Sequence, residues 1–151
     1  MKKVIIALTI CFMQLSLVSQ TKNDQLFKSI QAGEKDKVAA LLTAGSDANY
    51  FIVGDPIINV SCLIAAVNFN KTTDIAKILI DNKADVNWKD NLKNSAIMYA
   101  VKNDNLPMIK LLVANGAKLN EVDALGKTLL FTANEFGYTD VVTYLEQNAT
   151  K

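Results

Sequence analysis

Short blocks of small and apolar residues recur along this chain at nearly constant spacing. Ser61-Cys62-Leu63-Ile64-Ala65-Ala66 stands 34 residues before Ser95-Ala96-Ile97-Met98-Tyr99-Ala100. That block stands 33 residues before Thr128-Leu129-Leu130-Phe131-Thr132-Ala133. A second set keeps the same beat: Ala44-Gly45-Ser46-Asp47-Ala48-Asn49, Asn82-Lys83-Ala84-Asp85-Val86-Asn87 and Asn115-Gly116-Ala117-Lys118-Leu119-Asn120. A period in the range of roughly 20–50 residues marks a chain of stacked supersecondary units, each too small to bury its apolar face alone. The repeat therefore restricts the fold to a solenoid.

Each unit reads as two short helices. In the unit around residue 100, Ile97, Ala100 and Val101 give one apolar face at helical spacing. Pro107 opens the second helix, where a missing N–H is harmless. Met108, Ile109, Leu111, Leu112 and Val113 continue it, and Gly116 ends it with a left-handed residue. Gly45 takes the same place in the first unit, and Lys83 takes it in the second. Helices of about ten residues are marginal in isolation and need neighbours on both sides.

These residues resemble the ankyrin repeat, whose motif in outline is D-x-x-G-x-T-P-L-H-x-A-A-x-x-G, a helix ending in L-L, then G-A-D-V-N. The match runs from Asp24 to about Asn148, in units near 24–49, 57–87, 90–120 and 123–148. Asp123, Gly126, Thr128, Leu130, Ala133, Gly137 and Asp140-Val141-Val142-Thr143-Tyr144-Leu145 carry it most clearly. Ala84-Asp85-Val86-Asn87 keeps the unit ending, and Gly33, Val38, Leu41 and Leu42 mark the first unit. The resemblance implies an all-α solenoid of helix-turn-helix units joined by β-hairpin-like loops. Two features depart from it. The motif's proline is Cys62, Ala96 and Leu129; its histidine is Ile64, Met98 and Phe131. In the family that histidine ties a helix start to the neighbouring hairpin, so apolar packing is expected in its place.

The first inter-unit loop is the longest. Asn87 to Ser95 and Asn120 to Thr128 each span eight positions, whereas Asn49 to Ser61 spans twelve. The extra length falls in NYFIVGDPIINV, two β-branched runs about a Gly-Asp-Pro turn. Insertions in repeat proteins map to loops, often on the binding face. Three readings stay open: a binding hairpin, a private cap over the first helix pair, and a strand edge for self-association.

The N-terminus carries its own expectation. Met1-Lys2-Lys3 is positive, Val4–Val18 is almost wholly apolar, and Ser19-Gln20-Thr21 is polar. This order predicts a signal peptide over residues 1–19, cut near Ser19, and one domain over 20–151. A retained membrane helix would need roughly 20 apolar residues, and this run has fifteen with Gln14 inside it. A lipidated Cys11 would sit behind a bulky Ile10. The expected location is periplasmic or secreted, in a bacterium. Without Lys2 and Lys3 the 16 lysines fall to 14 against 15 acids, a balance of minus one. With no arginine and no basic cluster, neither nucleic acid nor, after cleavage, a membrane surface is an expected partner. Cys62 is then the lone thiol, so no internal disulfide forms.

No catalytic constellation appears. Histidine is absent, which removes the commonest general base and metal ligand. Asp81, Asp85 and Asp90 fit no calcium loop, and no glycine spacing suits a phosphate. The chain is expected to be no enzyme, to hold no cofactor or metal, and to be monomeric alone. What the resemblance implies instead is a protein-binding surface of hairpin tips and first helices. By position its helix residues are Gln31, Asn68, Phe69, Lys102, Asn103, Glu135 and Phe136. Its tip residues are Tyr50, Phe51, Ile52, Val53, Ile57, Ile58, Trp88, Lys89, Asn91, Leu92, Asn94, Leu125 and Lys127. Trp88, the single tryptophan, has two readings: a binding hot spot, or a ring packed on the neighbouring hairpin. Phe69 and Phe136 could equally be inter-repeat core.

Overall fold

The computed structural model describes residues 21–53, 58–70 and 72–148. The expected leader over 1–19, the start at Gln20 and Ile57 lie outside them. Eight helices occupy the described residues: α1 (21–31), α2 (Lys35–Thr43), α3 (Cys62–Phe69), α4 (Asp74–Asp81), α5 (Ala96–Lys102), α6 (Leu106–Ala114), α7 (Leu129–Phe136) and α8 (Thr139–Asn148). They pair in order, α3 with α4, α5 with α6 and α7 with α8. Neighbouring pairs then stack through α3 on α5, α5 on α7 and α2 on α4. The expected helical solenoid is what the chain forms.

Helix ends follow local chemistry. Ser61 and Thr128 cap α3 and α7, their hydroxyls accepting the amides of Ile64 and Phe131 at 3.3 and 3.0 Å. Asn105 caps α6 by accepting from Met108 N at 3.0 Å, with Pro107 in the first turn. The core is a continuous apolar seam. Leu26 and Ile30 of α1, Leu63 and Ile64 of α3, Ile97 and Met98 of α5 and Leu129 of α7 are buried in it. The second helices add Val38, Leu79, Met108, Ile109, Leu112 and Val141. Each such side chain contributes about 1.5–3 kcal/mol when fully buried.

Apolar packing takes the motif histidine's place at two of its three positions. Ile64 and Met98 are buried, but Phe131 is half exposed, with Lys127 Nζ 5.1 Å from its ring centre. A polar tie between helix start and hairpin survives in another form. The Ser95 hydroxyl donates to the buried Glu121 carboxylate instead of capping α5. Lys89 Nζ stands 3.4 Å from the other Glu121 oxygen.

Two rows of side chains bind the units to one another. Within the first helix pair Asn23 Oδ1 accepts from Asp47 N at 2.8 Å, and at the turns after the second helices the same role passes between units. Asn49 donates to Lys83 O and accepts from Asp85 N, at 3.0 and 2.7 Å. Asn87 donates to Gly116 O and accepts from Lys118 N, at 3.0 and 3.1 Å. At the first helices' C-termini, whose last carbonyls have no intrahelical partner, the next unit supplies one. Asn70 donates to Ile30 O at 2.9 Å, Asn103 to Val67 O at 3.4 Å and Tyr138 to Lys102 O at 3.3 Å.

The candidate protein-binding surface

The long loop is a two-stranded antiparallel hairpin, β1 (Phe51–Val53) and β2 (Asn59–Ser61), with Phe51 opposite Ser61 and Val53 opposite Asn59. The period of two divides its residues. Tyr50, Ile52 and Val60 are half buried against the core. Phe51 and Val53 are 45% and 64% exposed. The Tyr50 hydroxyl donates to Asp24 Oδ1 at 2.5 Å, and its carbonyl accepts from Cys62 N at 3.0 Å. This hydrogen bond and burial push the Tyr50 phenol up to about 12. One face of the hairpin therefore packs on the core, tied to α1 through Tyr50 and Asp24, while the other is presented outward.

The two shorter hairpins close with single bridges, Lys89 to Ser95 and Val122 to Thr128. Each tip is built on an aspartate. Asp90 Oδ1 accepts from the amides of Leu92 and Asn94, both at 2.8 Å. Asp123 Oδ1 accepts from those of Leu125 and Lys127, at 2.9 and 3.0 Å. Successive tips are joined: Asn59 N donates to Asn91 Oδ1 at 3.0 Å, and Ala124 N to Leu92 O at 2.9 Å.

The structure brings several of the expected surface residues together. The Phe51 and Trp88 rings lie 5.6 Å apart, so half-buried Trp88 packs on the neighbouring hairpin beside an exposed partner. Lys102, Leu125, Lys127, Glu135 and Phe136 share a pocket of about 300 Å³ with Asp123 and Thr132. Within it Lys127 Nζ pairs with Glu135 Oε2 at 2.8 Å. Asn68 and Asn103 meet at 3.3 Å in a second recess of about 190 Å³. Gln31, Lys89, Asn91 and Leu92 are exposed, and Ile58 is half buried. Phe69 and Phe136 are 55% and 57% exposed, so neither is inter-repeat core. Phe136 stacks on Tyr138 at 5.6 Å. Asn94 is not at the surface: it is buried beneath its tip and accepts from Lys102 Nζ at 2.9 Å.

Position in the repeat did not assign Thr132, Asp123, Val122 or Phe131 to the binding surface. Thr132 lies four residues after the capping Thr128, a helical spacing that places it on the groove side. Burial pushes the Cys62 thiol up to about 12, with a contribution from the Asp47 charge, which leaves too little thiolate for nucleophilic work. Among the described residues no three His, Cys, Asp or Glu side chains cluster as metal ligands. Nor is any described helix long and apolar enough to cross a membrane.

Stacked helix pairs with joined hairpin tips define a repeat scaffold that presents an extended surface. A family model described as ankyrin repeats (three copies) matches residues 63–151. The chain belongs to the ankyrin-repeat family, whose members are protein-binding modules. An ankyrin repeat protein of Rickettsia bellii is 29% identical over 126 residues, covering 83% of this chain and 67% of that protein. An ankyrin repeat protein of Acanthamoeba polyphaga mimivirus is 26% identical over 101 residues, 66% of this chain and 61% of its own length. A Caenorhabditis elegans homolog of transient receptor potential cation channel subfamily A member 1 is 28% identical over 130 residues. That alignment covers 86% of this chain but 10% of the channel.

Proposed function

We propose that this is an exported binding protein that grips one protein partner without catalysis, as a periplasmic inhibitor, immunity-type factor or stabilising accessory. The reading places four units at 24–49, 57–87, 90–120 and 123–148 behind a leader over 1–19. One observation carries the binding role: a row of joined hairpin tips exposes Phe51, Val53, Leu92 and Leu125. Contiguous exposed apolar residues with polar neighbours are the usual mark of a protein interface. Export rests on the charged-then-apolar order of residues 1–19.

The test is affinity capture from a native envelope fraction, comparing wild type with a Phe51→Ala, Leu92→Ala, Leu125→Ala variant. These side chains are exposed, so the variant keeps its fold; Tyr50 is avoided because it holds Asp24. A protein retained by wild type and lost by the folded variant supports the reading. Equal retention by both, or no specific protein in either, overturns it. The alternative is a structural module of a homo-oligomer, using the outward face of hairpin 50–60. A solution mass at twice the chain mass that falls to one on Phe51→Ala would favour that instead.

A further inference from the structure

We propose that the outer flank of α7 and α8 is a contact between two copies of this chain, which meet flank to flank about a two-fold axis. This goes beyond the binding reading and leaves the hairpin tips free for a partner. It departs from the monomer expected of the sequence. Equivalent positions show how the two ends of the stack differ. Towards the preceding unit face Cys62, Ala96 and Leu129 of the first helices and Ile75, Met108 and Val141 of the second, all buried. Their counterparts in the first unit are Gln25 and Lys37, both exposed. Lys28 is likewise exposed where Ala65 and Thr132 are buried. Polar side chains thus close the first end of the seam, as a terminal unit of a solenoid requires. The last end keeps its apolar character. Towards the following unit face Phe27, Ile64 and Met98, exposed by 3%, 1% and 0%, whereas their counterpart Phe131 is 51% exposed. Leu26, Leu63 and Ile97 are buried, but Leu130 only half so; Ala76 and Ile109 are buried, but Val142 only half so. Lys89 reaches across to Glu121 of the next unit, and in its place stands Val122, 42% exposed.

Inside the chain, what covers such a flank is the flank of another unit: α5 lies on α3 and α7 on α5. A second copy can continue that stacking with either of its ends. Its first end carries Lys28 and Lys37, whose charges would have to leave water against Phe131. Addition there would also repeat without closing. Its α7–α8 flank instead offers Val122, Leu130, Phe131 and Val142, apolar side chains of the kind the first copy needs covered. A flank that meets its own equal closes as a two-fold pair, and aromatic rings such as Phe131 gain most from that cover. Lys127 Nζ, 5.1 Å from the Phe131 ring, is already paired with Glu135 beside the patch. Asn134 stands where Val67 and Val101 are buried, and Glu146 where Leu42 is. They supply the polar positions that a dissociable interface carries. The face is small. With 8 and 10 residues, α7 and α8 are about 12–15 Å long. Contacts of that size are weak and reversible.

The test is the mass of the full chain by sedimentation equilibrium, from about 5 μM to about 1 mM, the range in which a weak contact forms. The expected mass rises from one chain towards two and stops there. Phe131→Gln gives the last unit the kind of side chain that closes the first, and should weaken pairing by about 10-fold or more. Asn134→Leu restores the apolar type of Val67 and Val101, and should tighten pairing by about 10-fold. Phe51→Ala should leave it unchanged, which separates this contact from one through the first hairpin. Far-ultraviolet circular dichroism checks that each variant keeps its helices; if Phe131→Gln does not, Asn134→Leu decides. A chain that stays single throughout would overturn the proposal and leave the flank to a different protein. A mass that climbs past two, pairing that ignores either flank variant, or pairing lost in Phe51→Ala would also overturn it. Capture through the tips is measured separately, so this contact can fail while the binding reading stands, and the reverse.

Discussion

Three residues other than glycine hold a left-handed backbone: Lys83 at φ 69°, Lys93 at 61° and Asp104 at 51°. At the points one period later stand Gly116, Gly126 and Gly137, at φ 88°, 76° and 73°. The conformation belongs to the turn, and the side chain must tolerate it. For an ordinary L-residue that costs about 1–2 kcal/mol, partly offset because glycine has more freedom to lose on folding. All three side chains are exposed, so nothing else is lost on removal. Lys83→Gly and Lys93→Gly should each raise unfolding stability by about 0.5 kcal/mol, and the pair by their sum. Urea denaturation with unchanged slope would check it; a destabilised pair would mean the turns are not what constrains these residues. Asp104→Gly should gain less, because aspartate enters this region more readily. The period alone identified Lys83 as standing in a glycine's place. The same offset applied to Gly126 and Gly137 leads to Lys93 and Asp104, so that much was legible in the sequence.

The elements are held together by side chains that span one unit to the next. Asn87 makes two hydrogen bonds across its junction and Asn49 two across the preceding one. Both sites are open to water, which can replace the lost partners. Asn87→Ala is therefore expected to cost about 1 kcal/mol and Asn49→Ala a similar amount, additively because no partner is shared. Hydrogen exchange should localise the damage, with faster exchange at Lys118 in one variant and at Asp85 in the other. Exchange changed equally everywhere would contradict the junction picture. The recurring asparagines were plain in the sequence as a motif ending, but their partners were not. A bond between residues 29 to 36 apart depends on how units stack. The first hairpin shows the same limit. Counting positions located its four extra residues, and only the pleat shows that Tyr50 and Ile52 turn inward while Phe51 and Val53 turn outward.

At the scale of the whole molecule, stability should be indifferent to pH across the neutral range. No histidine is present, and no other side chain ordinarily changes charge between pH 5 and 8. The alkaline side differs. The folded state holds the Tyr50 proton to about 12 against an ordinary 10.0, because the phenol donates to Asp24. Tyr99 is also raised, first by burial and then by its bond to Asp90. A raised folded pKa means that folding retains protons the unfolded chain releases. The contribution is whole below pH 10.0 and is lost as pH climbs towards about 12. The melting temperature should be level from pH 6 to 8 and fall above about 10, with Tyr50→Phe making the alkaline fall shallower. An unchanged slope in that variant would detach Tyr50 from the effect. The stack itself could be read from the period, since it needs only that each unit cover the next. Thr132's buried hydroxyl could not, because whether it meets a partner depends on the packing of neighbouring units.

Cys62 gives the molecule a built-in clock. Its sulfur is sealed at the root of the first hairpin, one residue past β2, and its amide is tied to the Tyr50 carbonyl. A thiol reagent can reach it only when the packing over it opens, so the labelling rate of this sulfur counts such openings, those of the hairpin among them. Anything that clasps the hairpin from outside slows the clock, and occupancy of the surface becomes legible in the time taken to modify a single atom within.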